Sequence, residues 1–274
     1  MGGETPLSGV IATPDFPDPP EQTPAVLLLN AGLLHRVGPH RMYVRIARTL
    51  TKAGVTSLRF DYSGIGESPP RKDLVPAPKS RVIETNAAMD HMASVMGAQR
   101  FVLMGLCSGA VNAFRVARLD PRVIGLVLID GFPYRTYRYY LIHYARRLFR
   151  LRSWLNVLSG RRQLWKSFRR VIPLGGGTTA TRPATALHLP PKAEIAAGFR
   201  ELVHRGVRFC VIHSGGFEQY YNYTRQFVHS FRSVDFDGHL KLVYFKHSDH
   251  TFTSLEQQRL TVNTIEDWME KEIL

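Results

Sequence analysis

The stretch that decides the reading of this chain is Phe101-Val-Leu-Met-Gly-Leu-Cys-Ser-Gly-Ala110. Phe101 to Met104 is a short apolar run of the length of a buried strand. Gly105 and Gly109 then enclose Leu106-Cys107-Ser108, and Ala110 to Ala117 carries apolar residues at helical spacing. Strand, Gly-x-nucleophile-x-Gly turn and helix make a nucleophile elbow, in which backbone crowding requires glycine and the middle side chain is pushed out above the sheet. The two glycines lie symmetrically about Cys107. Centred on Ser108, the flanking positions are Leu106 and Ala110, and Leu106 is bulky where the turn is tightest. The register selects Cys107 as nucleophile over Ser108. Taken alone, a cysteine between glycines reads equally as a buried core residue.

Working outward, the run Ala25-Val-Leu-Leu-Leu-Asn30 reads as a strand covered on both faces of a parallel sheet. It runs into Ala31-Gly32-Leu33, a small-residue loop suited to supplying a backbone N–H to an oxyanion. Leu33 is the candidate donor from this loop, and the amide of Ser108 is the other. Strands are expected at 8–13, 55–60, 123–129, 207–213 and 241–245, and helices at 41–53, 79–96, 191–205, 219–231 and 255–270. Strands alternating with helices imply parallel βαβ units. The expected architecture is an α/β fold with a mostly parallel central sheet and helices on both faces. Regularity breaks after Phe132. Residues 134–155 form a basic, aromatic-rich helix candidate, 163–171 a second, and 175–183 a glycine-rich connection. The domains are therefore read as a first core part at 1–133, a basic helical lid at 134–189 and a second core part at 190–274.

A chain of 274 residues can bury a full core, and 44% hydrophobic content excludes disorder. The formal charge of +14 suggests nucleic acid until it is located. From Gly131 to Ala193 there are 13 Lys and Arg and no Asp or Glu, and the rest of the chain is nearly neutral. A basic charge confined to one inserted segment argues against nucleic-acid binding. Cys107 and Cys210 are the two cysteines, too few for a disulfide framework or a metal cluster, so no metal and no cofactor is expected. With no signal peptide and no run of membrane-spanning length, a cytoplasmic protein is expected, with peripheral membrane contact through the lid as an option.

Taken together, Asn30-Ala-Gly-Leu33, Arg59-Phe-Asp-Tyr-Ser-Gly-Ile-Gly-Glu-Ser68, Gly105-Leu-Cys-Ser-Gly109 and Asp249-His-Thr-Phe252 resemble the α/β-hydrolase superfamily over nearly the whole chain. The second motif is similar to a loop of the lysophospholipase and serine-aminopeptidase-like branch. The elbow and lid also resemble small acyl hydrolases associated with bacterial exosortase systems. The resemblance implies a nucleophile–acid–base order along the chain. It gives His250 as base, with His247 as competitor, and Glu218 as acid, with Asp130 as the alternative. Asp61 resembles a family residue that orders its loop. The dienelactone-hydrolase branch also carries a cysteine in this turn. The implied activity is hydrolysis of an ester or thioester through an acyl-enzyme on a Cys-His-Glu triad. An acyltransferase using the same site and a catalytically silent binding protein are the alternatives. Arginines of the lid would suit an acyl group carried on coenzyme A or an acyl carrier protein, or an anionic membrane surface.

Overall fold

The computed structural model describes residues 5–15, 23–148 and 190–274. Two compact units emerge, one made of Met1–Tyr134 with Leu189–Leu274 and the other of Arg135–His188. The first holds a seven-stranded sheet in the order β1-β3-β2-β4-β5-β6-β7. Its strands are β1 (Gly9–Ala12), β2 (Ala25–Leu29), β3 (Ser57–Phe60), β4 (Phe101–Leu106), β5 (Val123–Ile129), β6 (Arg208–Ser214) and β7 (Leu240–Phe245). Only β1 runs antiparallel, against β3 at one edge. Every residue of β2 and β4 is buried, which is why both read as continuous apolar runs.

The helices of this unit are α1 (Met42–Lys52), α2 (Ala77–Met96), α3 (Ser108–Leu119), α5 (Lys192–His204), α6 (Gln226–Ser230) and α7 (Leu255–Glu272). Alternate strand residues feed two cores. One packs Leu28, Met104, Val127 and Ile212 against Met42 and Ile46 of α1 and Ile265 and Trp268 of α7. The other is aromatic and centres on Phe199 of α5, with the rings of Phe114 and Phe231 4.6 and 5.0 Å from it. Cys210 lies in the first core, fully buried, and burial pushes its thiol up to about 12. It is an inert core residue.

In the second unit, α4 spans Tyr137–Leu148. Its rings pair at i,i+4 spacing, Tyr139 stacked with His143 and Tyr140 with Tyr144. The rest of the helix candidate at 134–155, the one at 163–171 and the connection at 175–183 lie outside the described residues. No described helix is long and apolar enough to cross a membrane.

The expected helix at 219–231 shrinks to the five residues of α6. The Gln226 side chain explains this. Its amide donates to the carbonyls of Tyr134 and Tyr220 and accepts from the Asn222 N–H, holding 219–225 in turns.

Candidate active site

Cys107 stands between β4 and α3 with φ 55° and ψ −112°, a strained conformation for a residue with a side chain. The flanking glycines make that turn possible. A Cβ on Gly105 would lie 2.2 Å from the Gly109 carbonyl carbon, and one on Gly109 would lie 2.8 Å from the Asn30 oxygen. Both clashes are with backbone, which cannot swing away. The Cys107 N–H continues the sheet by donating to the Ile129 carbonyl at 2.8 Å. Ser108 is the first residue of α3, so its amide is one that the helix leaves free. Its hydroxyl is taken by the Gly32 N–H at 2.7 Å.

The candidate base, His250, lies on the loop after β7. Asp249 shapes that loop by accepting from the amides and hydroxyls of both Thr251 and Thr253. Burial works against ionisation there, yet these bonds hold the Asp249 carboxyl down to about 2. His250 then bonds to Asp130 through Nδ1 at 2.7 Å and lies beside the Cys107 side chain. Burial alone would lower its pKa. The bonds and charges of Asp130 first, then Cys107, outweigh burial and raise it to about 9. His247 is exposed and is not drawn into this cluster.

The carboxylate that meets His250 is Asp130, not the expected Glu218. At the last residue of β6, the N–H and hydroxyl of the buried Ser214 donate to Asp130 at 2.7 and 2.6 Å. The chain then makes a tight turn at Gly215–Phe217. A Cβ on Gly215 would fall 1.8 Å from the Lys246 oxygen, and one on Gly216 2.4 Å from the His250 nitrogen. The histidine loop therefore lies flush on these two glycines, and Glu218 is left exposed beyond them. The end of β5 adjoins the elbow strand β4, whereas β6 is one strand further away. Asp130 is fully buried, at φ 48°. Burial would raise its carboxyl, but the imidazoles of His213 and His250 hold it down to about 2. His213 is itself fully buried, stacked on Tyr221 at 3.8 Å, with Nδ1 3.7 Å from Asp130. That distance is an ion-pair separation and too long for a hydrogen bond.

Leu33 sits in the loop after β2, and its N–H has no backbone partner among the described residues. Asp61 anchors this loop. It accepts from the Asn30 side chain, the Arg36 N–H and the Arg36 guanidinium, and it is fully buried. Burial opposes its ionisation, but Arg36 and Asn30 hold the carboxyl below its ordinary range. Tyr43, His213 and Ser214 escaped the sequence reading. The buried Tyr43 hydroxyl donates to the Leu29 carbonyl at 3.1 Å and accepts from the Leu106 N–H at 3.0 Å, joining the end of β2 to the elbow strand. Nothing local in sequence marks such a long-range bond. Asp130 did carry a signal: a carboxylate directly after the buried run Val123–Ile129 and directly before Gly131.

Residues 25–171, just over half the chain, match the family described as serine aminopeptidase, S33. The chain belongs to this α/β-hydrolase family. The α/β-hydrolase fold is borne out by solved structures. Est1E from Butyrivibrio proteoclasticus with bound ferulic acid has a TM-score of 0.62 at 14% identity, covering 97% of this chain and 95% of that one. An α/β serine hydrolase homologue from Coxiella burnetii has a TM-score of 0.54 at 15% identity, covering 97% and 96%. Mouse α/β hydrolase domain-containing protein 10 has 0.53 at 16%, covering 97% and 94%. No curated protein sequence matches the chain. As an α/β hydrolase, it acts on small-molecule substrates.

Proposed function

We propose that this hydrolase cleaves an ester or thioester through a Cys107–His250–Asp130 triad. The observation that carries the proposal is that His250, bonded to the buried Asp130, lies beside Cys107 at the strained turn between β4 and α3. Asp130 fixes the tautomer with Nδ1 as donor, which leaves Nε2 for the thiol. A raised imidazole pKa beside a thiol favours transfer of the thiol proton, giving a thiolate nucleophile and an imidazolium acid.

Sulfur attacks the carbonyl carbon, the C–S bond forms, and the carbonyl π pair moves onto oxygen. The Leu33 and Ser108 amides receive that oxyanion. Its collapse expels the alkoxide or thiolate, which takes the proton from His250. A water molecule, deprotonated by His250, then attacks the thioester carbonyl carbon. Collapse of this second adduct breaks the C–S bond, releasing the acid and leaving the Cys107 thiolate beside the His250 imidazolium, the resting pair.

Ester and thioester cleavage is favoured over amide cleavage by leaving-group chemistry. From a sulfur adduct the thiolate departs more readily than an amine anion, so an amide substrate reverts unless its nitrogen is protonated first.

Cys107→Ala is expected to abolish turnover of p-nitrophenyl acetate and butyrate while the protein stays folded by circular dichroism. Iodoacetamide should label Cys107 in the wild type, as read by peptide mass spectrometry. Full turnover by Cys107→Ala would sink the proposal.

A further inference from the structure

The Ser108 side chain has its own bond, apart from the amide already assigned. Its Oγ accepts the Gly32 N–H at 2.7 Å, across 76 positions of sequence. Gly32 immediately precedes Leu33, and its φ of 58° is a left-handed value that aims this stretch of backbone; no neighbour crowds its Cα. One residue therefore touches both halves of the oxyanion hole. The Ser108 amide supplies one donor, and the Ser108 hydroxyl holds the peptide unit next to the other.

We infer that Ser108 Oγ is a positioning group that sets the separation and direction of the Leu33 and Ser108 amides. This inference rests on the acyl-transfer reading. Leu33 is 86% exposed and its loop extends into solvent, so packing alone gives its amide little constraint. Asp61 and Asn30 hold the two ends of the loop, at Asn30 and Arg36. Between them the Leu34 N–H closes a turn onto the Ala31 carbonyl at 3.0 Å, the Leu34 carbonyl accepts from the Asn30 side chain at 2.8 Å, and the Ser108–Gly32 bond ties that turn to the elbow. Preorganised donors stabilise a transition state because they need no reorganisation when charge develops. A loop that has lost this tether must reorder during each turnover. The same bond explains why a hydroxyl adjoins the nucleophile without displacing it: its oxygen is occupied by the loop, while His250 faces Cys107.

The test separates chemistry that needs an oxyanion hole from chemistry that does not. Alkylation of Cys107 by iodoacetamide is a displacement at carbon and forms no oxyanion, whereas p-nitrophenyl ester turnover does. For Ser108→Ala, kcat should fall about 10- to 100-fold, less than the 10²- to 10³-fold typical of losing a donor outright. KM, the alkylation rate and the melting temperature should stay close to wild type. Ser108→Thr keeps an Oγ and should recover most of the lost kcat.

Unchanged kcat in Ser108→Ala overturns the inference. So does a parallel fall in alkylation and turnover, which would place the defect in the nucleophile. An active Cys107→Ala beside an inactive Ser108→Ala and Ser108→Thr would instead overturn the acyl-transfer reading on Cys107, so the two failures are distinguishable.

Discussion

At the scale of single residues, the site is an arrangement of charges around one imidazole. Asp130 is buried and braced by both donors of Ser214, so it remains an anion facing His250. Removing a nearby anion lowers the pKa of a cation. Asp130→Asn should therefore lower the His250 pKa from about 9 substantially, and Cys107→Ala should lower it less. An NMR titration of the His250 ring protons reads this order directly. Turnover of Asp130→Asn should drop about 10²- to 10⁴-fold, the upper end being the loss expected when a triad aspartate becomes an amide. Glu218→Gln should leave turnover unchanged, and a comparable loss there would restore Glu218 as the acid. Stability follows the same charges. A group whose pKa rises on folding stabilises the fold below its unfolded pKa, here 6.5, and that contribution disappears as pH rises through about 9. The fall in melting temperature across that window should be smaller in His250→Gln. For Asp130 the sign reverses: its contribution is present above 3.8 and is lost as pH falls toward about 2.

At the scale of elements, close backbone contacts decide where the three functional loops meet. The elbow was legible in sequence because Gly105 and Gly109 are fixed by sterics within a few residues of Cys107. The carboxylate that meets His250 was not, because its place depends on strand adjacency: β5 lies between β4 and β6, and Asp130 bonds to the Ile212 carbonyl and to Ser214. Spacing along the chain carries no information about that pairing. The glycines after β6 were visible, but their purpose was not, since the surface they meet lies more than thirty residues later. Gly216→Ala tests that purpose. Its new Cβ meets the His250 backbone nitrogen at 2.4 Å, so the histidine loop must shift. Turnover should fall steeply in a protein that still folds and still carries all three triad residues. Tyr43→Phe tests the other join. It leaves the buried Leu106 N–H without its partner, a cost of about 1–3 kcal/mol. Differential scanning calorimetry should show a lower melting temperature, by roughly 2–4 °C for each kcal/mol.

For the whole molecule, the charge distribution and the path of the chain suggest one decisive operation. Everything proposed for the chemistry lies in the unit built from Met1–Tyr134 and Leu189–Leu274. Residues 135–188 hold 12 of the 36 basic residues and no acidic one. Their removal would leave 24 basic against 22 acidic residues, a formal charge near +2. The chain leaves and re-enters the first unit at adjacent points, because the Tyr134 hydroxyl donates to the Pro190 carbonyl at 2.8 Å. The Tyr134 carbonyl is itself held by Gln226 and Ser230, so the exit is anchored without the excised residues. A short Gly-Ser linker in place of 135–188 should thus give a folded protein with all seven strands and the proposed triad. If the segment is a basic lid that selects the acyl group, this variant should retain turnover of p-nitrophenyl acetate and lose its preference among longer acyl chains. If its arginines meet an anionic surface, co-sedimentation with phosphatidylserine vesicles should weaken from the full chain to the variant, and salt should weaken it in the full chain alone. An unchanged acyl-chain profile together with unchanged vesicle binding would remove both roles from the segment and return specificity to the core.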